Sequence, residues 1–353
     1  MIHVGMDLHR NNSMVVAISD KTGELFAARR IDNDRPDELW QYLDQFESEP
    51  IRVVLEATGN SRWMYRLLKS RSNVEPVVVV PQKVRIIAET VSKSDRVDAE
   101  ALAFLSTMNA LPRSWVPDGD VEELRELTRH RAALVRRRTQ TKNSISGILT
   151  RCGLRRPYDD MYGVRGLAWL REVELPGHMR YQVDAWLDAL EHTESQIQKV
   201  EGILYGRLAR SDRWKEDVEL LMTMPGVGKL TALTILAELG DYHRFRRRSQ
   251  VASFAGLIPK SKRSNETVRY GRITRRGPAA LRTILIEVSL HAVRQSVRYR
   301  PLYEKFRAQK RCNAGKAAVA RKMIEDAWTM LRKRQAFHEP IVATYTRQPA
   351  RAG

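Results

Sequence analysis

Short apolar runs, each broken by turn residues, fill the first hundred positions of the chain. The runs at 2–6, 14–18, 25–31, 51–55 and 77–80 have the length and flanking punctuation of strands. The first three follow one another closely, which predicts an antiparallel meander. Patterns of helical spacing at 36–46 and 61–68 separate the later ones, which predicts parallel addition to the same sheet. From Ser94 the pattern turns helical to about residue 108, and Pro112 and Pro117 mark a linker.

Beyond the linker the spacing is helical throughout. One long helix is expected over 121–150, carrying Arg129, Arg131, Arg136, Arg137, Arg138 and Lys142. A second covers 180–210, where Val183, Leu190, Ile197 and Leu204 recur every seven residues. Leu187 and Leu208 take the companion positions, and Glu194 and Glu201 interrupt the seam. This is a coiled-coil pattern with defects. It suits an intramolecular helical hairpin and a dimerisation stalk equally well. From about 215 come a glycine-rich turn at 225–228, a polar basic loop at 259–272, helices near 278–297 and 313–335, and a loose end at 339–353. The expected fold class is therefore α/β plus mostly α. Its parts are an α/β domain at 1–112, a helical coiled-coil region at 118–213, a helical domain at 214–338 and a tail at 339–353.

Charge sharpens this division. The formal net charge is +19, yet residues 1–110 hold 14 Lys/Arg against 16 Asp/Glu, and the rest hold 47 against 26. A basic surface that served solubility alone would be spread evenly. A surplus confined to the later part points to a polyanion, and nucleic acid is favoured because phosphate contacts release condensed counterions. Apolar residues at 42% exclude a chain disordered throughout. Cys152 and Cys312 are isolated, with neither zinc spacing nor a disulfide framework. No secretion signal, lipid anchor or spanning helix is legible, so a soluble cytoplasmic protein with no membrane partner is expected.

The candidate chemistry begins with acids at strand ends. Asp7 closes the first run in Val4-Gly5-Met6-Asp7, and Glu56 closes another in Val53-Val54-Leu55-Glu56. Asp95 and Asp98 stand three apart at a helix start, so both can face one side. Four converging carboxylates suit two hard divalent cations, Mg²⁺ first and Mn²⁺ as a substitute. Such a pair would clamp both oxygens of an in-line phosphoryl displacement. Each acid alone has a plainer reading: a strand-end Asp is often a turn former, and Asp95 could be a helix N-cap.

Two further segments are suited to phosphate. Met224-Pro225-Gly226-Val227-Gly228-Lys229 between helical patterns reads as a helix-hairpin-helix, whose amides at Gly226 and Gly228, with Lys229, would hold backbone phosphate. The plainer alternative is a helical turn with a glycine cap. It is too short for a nucleotide-binding P-loop. In the loop beginning at Gly256-Leu257-Ile258-Pro259, Lys260, Lys262, Arg263, Arg269, Arg272, Arg275 and Arg276 surround Ser261, Ser264 and Thr267. One serine could attack a phosphodiester under these cations, or the hydroxyls could simply hydrogen-bond phosphate. Arg136, Arg137 and Arg138 add a further basic stretch.

Taken together, these residues resemble the transposases of the "IS-one-ten" class of insertion sequences, the DEDD-plus-serine family of bridge-RNA-guided recombinases. The likeness extends over roughly residues 1–335. It is carried by Gly5-Met6-Asp7 with His9, Glu56-Ala57-Thr58-Gly59, Ser94-Asp95-Arg96-Val97-Asp98-Ala99, the 225–228 turn, Gly256-Leu257-Ile258-Pro259 and Gly271-Arg272-Ile273-Thr274-Arg275-Arg276-Gly277. The resemblance implies an N-terminal ribonuclease-H-like, RuvC-like domain with Mg²⁺ on Asp7, Glu56, Asp95 and Asp98. It also implies a C-terminal domain whose Ser264 forms a covalent phosphoserine link to DNA. The family usually has Gly after this serine, where this chain has Asn265; asparagine also tolerates the left-handed conformation. Implied partners are donor and target DNA, a structured bridge RNA, and further copies of the chain in a dimer or tetramer, with acids and serine drawn from different subunits. Two rival readings stand beside a recombinase: a Holliday-junction-resolving metal-dependent endonuclease, and a non-catalytic nucleic-acid-binding protein.

Overall fold

The computed structural model describes residues 1–87, 94–264 and 267–339, with the backbone alone at 85–87, 213, 261–264 and 267–270. The chain divides into two compact units, Met1–Val116 and the part from Pro117 onward.

In the first unit the strands are β1 (Ile2–Leu8), β2 (Asn12–Ser19), β3 (Arg29–Asp32), β4 (Ile51–Glu56) and β5 (Val74–Val79). They form one sheet in the order β3-β2-β1-β4-β5. β1, β2 and β3 pair antiparallel, and β4 and β5 extend the sheet parallel to β1, as the apolar runs predict. β3 is shorter than its run: Leu25 makes only an isolated bridge to Ile18 and stays 48% exposed. Helices α1 (Pro36–Asp44) and α2 (Ser61–Lys69) bring Leu39, Leu43, Met64 and Leu68 into one core with Val4, Met6, Val53 and Leu55. Side chains alternate along a strand. His3, Gly5 and Asp7 on β1, with Val54 and Glu56 on β4, therefore belong to the opposite face.

After α3 (Pro81–Ile87), helix α4 (Asp95–Thr107) packs over that opposite face on β1, β2 and β4. Leu102 and Leu105 join Val54, Val77 and Val79 in a second core. Gly5 permits the approach. A Cβ there would lie 1.9 Å from the Ala99 carbonyl oxygen and 2.6 Å from the Ala103 nitrogen.

In the second unit, α5 (Gly119–Arg151) and α7 (Gly177–Arg210), separated by α6 (Val164–Glu172), pack along each other. Val183, Leu187, Leu190, Ile197 and Leu204 are buried, so the seven-residue seam is covered within the chain. The acids that interrupt it are cross-helix partners: Glu194 pairs with Arg138 at 3.2 Å and Glu201 with Arg131 at 2.8 Å. There follow α8 (Asp212–Met222), α9 (Lys229–Leu239), α10 (Arg248–Phe254), α11 (Ala279–Gln295), α12 (Arg300–Arg307) and α13 (Cys312–Lys333). α9 is buried from Thr231 to Leu239 among α5, α8 and α11.

The expected basic loop at 259–272 is instead a hairpin, β6 (Pro259–Ser264) with β7 (Thr267–Ile273). Its polar sequence carries no period-two apolar signal, which is why the pattern reads as a loop. Its base is held by close backbone packing: the Thr274 amide donates to the Ile258 carbonyl at 2.9 Å. Gly277, at φ +118°, lies where a Cβ would meet the Phe254 oxygen at 1.9 Å. Among the described residues no helix is long and apolar enough to cross a membrane.

Candidate active site

Asp7 is the penultimate residue of β1, and Glu56 is the last of β4. The parallel ladder runs to Met6 opposite Leu55, so the next residue on each strand is an acid. Strand spacing puts their backbones about 4.8 Å apart, with both side chains on the α4 face. Asp95 and Asp98 lie in the first turn of α4. Ser94, rather than Asp95, caps it by accepting from the Val97 amide. The first-turn acids also complement the helix dipole. Asp7 and Asp95 are brought together with His9, and Asp98 is near enough to act on the Asp7 carboxyl, whereas Glu56 and Asp98 are not part of that close group.

The tightest grouping includes a residue the sequence had marked only as part of a signature. Asp7, His9 and Asp95 each offer a ligand atom within 4.8 Å of the others. His9 Nε2 stands 3.1 Å from Asp7 Oδ2 and 3.4 Å from Asp95 Oδ1. The signal was the Asp-x-His spacing, which returns the histidine to the acid's side of an extended chain. Burial pushes the Asp7 carboxyl above the usual carboxylate range; His9 opposes this, and Asp95 and Asp98 add to it. A half-buried acid facing like charges, with a neighbouring imidazole, is a donor set suited to a divalent cation.

In the second unit Gly228 is the exposed N-cap of α9 and Lys229 its exposed first residue. Gly226, at φ +79°, is pressed against α11, where a Cβ would lie 2.9 Å from the Ala292 nitrogen. Its amide donates to Gln295 Oε1 at 3.0 Å. An open cavity of about 450 Å³ lies along this turn. Lys260, Arg272, Arg275 and Arg276 are exposed around the base of the hairpin. Ser264 pairs with Thr267 at the strand end nearest the turn, and Ser261 pairs with Tyr270 farther back. Lys262 stands opposite Arg269 and Arg263 opposite Val268 in the register. Asn265 lies outside the described residues. Arg136 and Arg137 are exposed on α5, whereas Arg138 is engaged by Glu194.

Residues 218–304 match the Transposase IS116/IS110/IS902 family, and residues 4–153 match the DEDD transposase domain of IS110 elements. The chain belongs to the IS110/IS116/IS902 transposase family. It is similar to the transposase for insertion sequence element IS1111A of Coxiella burnetii, with 27% identity over 95% of this chain and 90% of that one. It is also similar to the transposase for IS1328 of Yersinia enterocolitica, with 25% identity over 80% of this chain and 81% of the other. A third relative is the pilin gene-inverting protein of Moraxella bovis, 23% identical over 86% and 87% of the two chains. As a transposase the protein acts on DNA and catalyses strand transfer. Membership implies a divalent metal, and the Asp7–His9–Asp95 group is where the described donors of this transposase would hold one.

Proposed function

We propose that this transposase is a site-specific recombinase that cuts DNA with a serine nucleophile at Mg²⁺ held by Asp7, Glu56, Asp95 and Asp98, and rejoins it without ATP. The observation that carries the metal reading is the approach of Asp7, His9 and Asp95 to within 4.8 Å on the α4 face. The strand order β3-β2-β1-β4-β5, with β2 antiparallel to β1, supports a ribonuclease-H-like, RuvC-like first domain. When bound, the cation would lower the pKa of a coordinated hydroxyl and neutralise charge on the phosphate.

Ser264 Oγ attacks phosphorus, the bond to the leaving DNA oxygen breaks, and the serine proton ends on that leaving hydroxyl. The phosphoserine ester retains the bond energy. A hydroxyl from the exchanged strand then attacks it and returns the serine. Lys260, Lys262, Arg263, Arg269, Arg272, Arg275 and Arg276 stabilise charge on the phosphate without taking its proton. The backbone register sets Lys262 and Arg269 at facing positions of the hairpin. We read 223–228 with α8 and α9 as a helix-hairpin-helix. Gly228 and Lys229 offer the phosphate contact there, and Gly226 is the close-packing residue. Arg136 and Arg137 extend the basic surface. A bridge RNA and a multimer with sites shared between subunits follow from the family resemblance. The inversion named for the Moraxella relative is a cut-and-rejoin outcome of this kind.

Ser264→Ala should abolish the denaturation-resistant protein–DNA adduct on a supercoiled substrate, while Ser261→Ala keeps it, both scored on denaturing gels. Normal cutting by Ser264→Ala would replace this mechanism with hydrolysis by a junction-resolving nuclease.

A further inference from the structure

Beside the acids, the turn from β1 to β2 is fastened more firmly than its exposure suggests. Asn33 is buried, 7% exposed. Its Nδ2 donates to the carbonyls of His9 and Arg10 at 2.9 and 3.3 Å, and its amide donates to the Asn11 carbonyl at 2.9 Å. Its Oδ1 accepts from Ser13 Oγ at 2.6 Å. From the other side Asn60 Nδ2 donates to the His9 carbonyl at 2.6 Å. The buried Asn33 and the partly exposed Asn60 therefore satisfy the main chain of this turn, and its own side chains are displayed from a fixed frame.

They line an open cleft of about 380 Å³ bounded by His9, Arg10, Asn11, Asn12, Arg30 and Asp95. Asp95 and His9 belong to the acid cluster, so the cleft adjoins it directly. Arg10 and Arg30 are exposed and have no partner among the described residues. Several arginines of this unit do have acids: Arg35 with Glu38, Arg52 with Glu75 and Arg71 with Asp44. Two unneutralised guanidinium groups thus face an anionic site in a region, residues 1–110, whose 16 acids outnumber its 14 Lys/Arg. Net charge cannot draw a polyanion there; only local cations can. Guanidinium forks match phosphate oxygens in geometry, and contacts of this kind set the position of a strand.

We propose that this cleft is a phosphate seat, in which Arg10 and Arg30 hold one backbone phosphodiester of the DNA strand beside the phosphodiester cut at the acids. The seat rests on the proposed metal reading of Asp7 and Asp95. It assigns Asn33 the role of positioning the turn that carries Arg10.

The test uses the full chain with Mn²⁺ and the dinucleoside monophosphate TpT, whose single phosphorus is a diester. Bound Mn²⁺ relaxes a nearby ³¹P nucleus, and electron paramagnetic resonance counts the bound ion independently. Wild type should bind Mn²⁺ in an Asp7-dependent way and enhance ³¹P relaxation of TpT. Arg10→Ala/Arg30→Ala should bind Mn²⁺ at least as tightly, because two repelling cations are gone, yet lose at least threefold of the enhancement. Retained Mn²⁺ with undiminished enhancement in that double variant overturns the phosphate seat and leaves the metal site standing. Mn²⁺ binding that is absent, or indifferent to Asp7→Asn, overturns the metal reading and the seat with it.

Discussion

A side chain at position 5 would put its Cβ 1.9 Å from the Ala99 carbonyl oxygen, so α4 lies on β1 only because that residue is glycine. The same helix carries Asp95 and Asp98, and their distance from Asp7 depends on this contact. Gly5→Ala should lower Mg²⁺ affinity at least tenfold by calorimetry and reduce Tm. The same change at Gly202 in α7, where a Cβ meets nothing within 4 Å, should leave Mg²⁺ affinity unchanged and keep or raise Tm, because alanine is the better helix former. Asp7 itself is held above the usual carboxylate range by burial and by Asp95 and Asp98, against the pull of His9. A raised carboxyl pKa means that ionisation weakens the metal-free fold as pH rises through it. Asp7→Asn should therefore keep or raise Tm in EDTA at neutral pH while abolishing the rise in Tm that Mg²⁺ gives. A fall in Tm in EDTA would show that Asp7 serves the fold rather than the cation.

The join between β1 and α4 has a second buried polar contact, His3 Nδ1 with Ser106 Oγ at 2.6 Å. Burial lowers the His3 pKa, Arg52 adds to this and Asp20 opposes it. The unfolded imidazole titrates at about 6.5. Its contribution is complete above that pH and is lost as pH falls through the lower folded value. Between pH 7.5 and 5.5, Tm should fall more steeply in the wild type than in His3→Gln; equal slopes would remove His3 from the account. In the second unit the anchoring contact is Glu238 on α9, 0% exposed, which receives Arg129 of α5 at 2.7 and 2.8 Å. Arg129→Met leaves a buried carboxylate short of its bidentate partner and should cost about 3 kcal/mol. Adding Glu238→Gln should recover most of that in a urea titration. If the double variant is as unstable as the single one, the ion pair is not what joins α5 to α9.

Across the whole chain the cations are partitioned by unit. Some of the surplus beyond residue 110 is spent internally, as with Arg131, Arg138 and Arg129. The exposed Arg136, Arg137, Lys229, Lys260, Arg272, Arg275 and Arg276 remain for phosphate. Each phosphate neutralised adds about −0.9 to the slope of log K against log salt on duplex DNA. Six contacts would give a slope of about −5. The full chain should show a slope of this order in fluorescence anisotropy, and a Met1–Val116 fragment a much shallower one with weaker binding. Equal slopes would refute the assignment of binding to the later unit.

Local spacing was enough to place Asp7 and Glu56 at the ends of apolar strands, Asp95 and Asp98 on one turn of a helix, and the surplus of charge beyond residue 110. It was enough because alternation and helical periodicity state which face of an element is apolar, and charge counts need no geometry. Periodicity does not say what covers a face. The 183–204 seam reads alike whether its partner is α5 or another chain, and only packing shows that α5 fills it, with Arg138 and Arg131 meeting Glu194 and Glu201. The β6–β7 hairpin is built from polar residues, so its existence depends on backbone pairing and on the fit of Gly256 and Gly277, which leave no periodic trace. His9 joined the acids, and Arg10 their border, through a turn fixed by Asn33 and Asn60 from 24 and 51 positions away. Contacts that distant in the chain arise only once the sheet has formed.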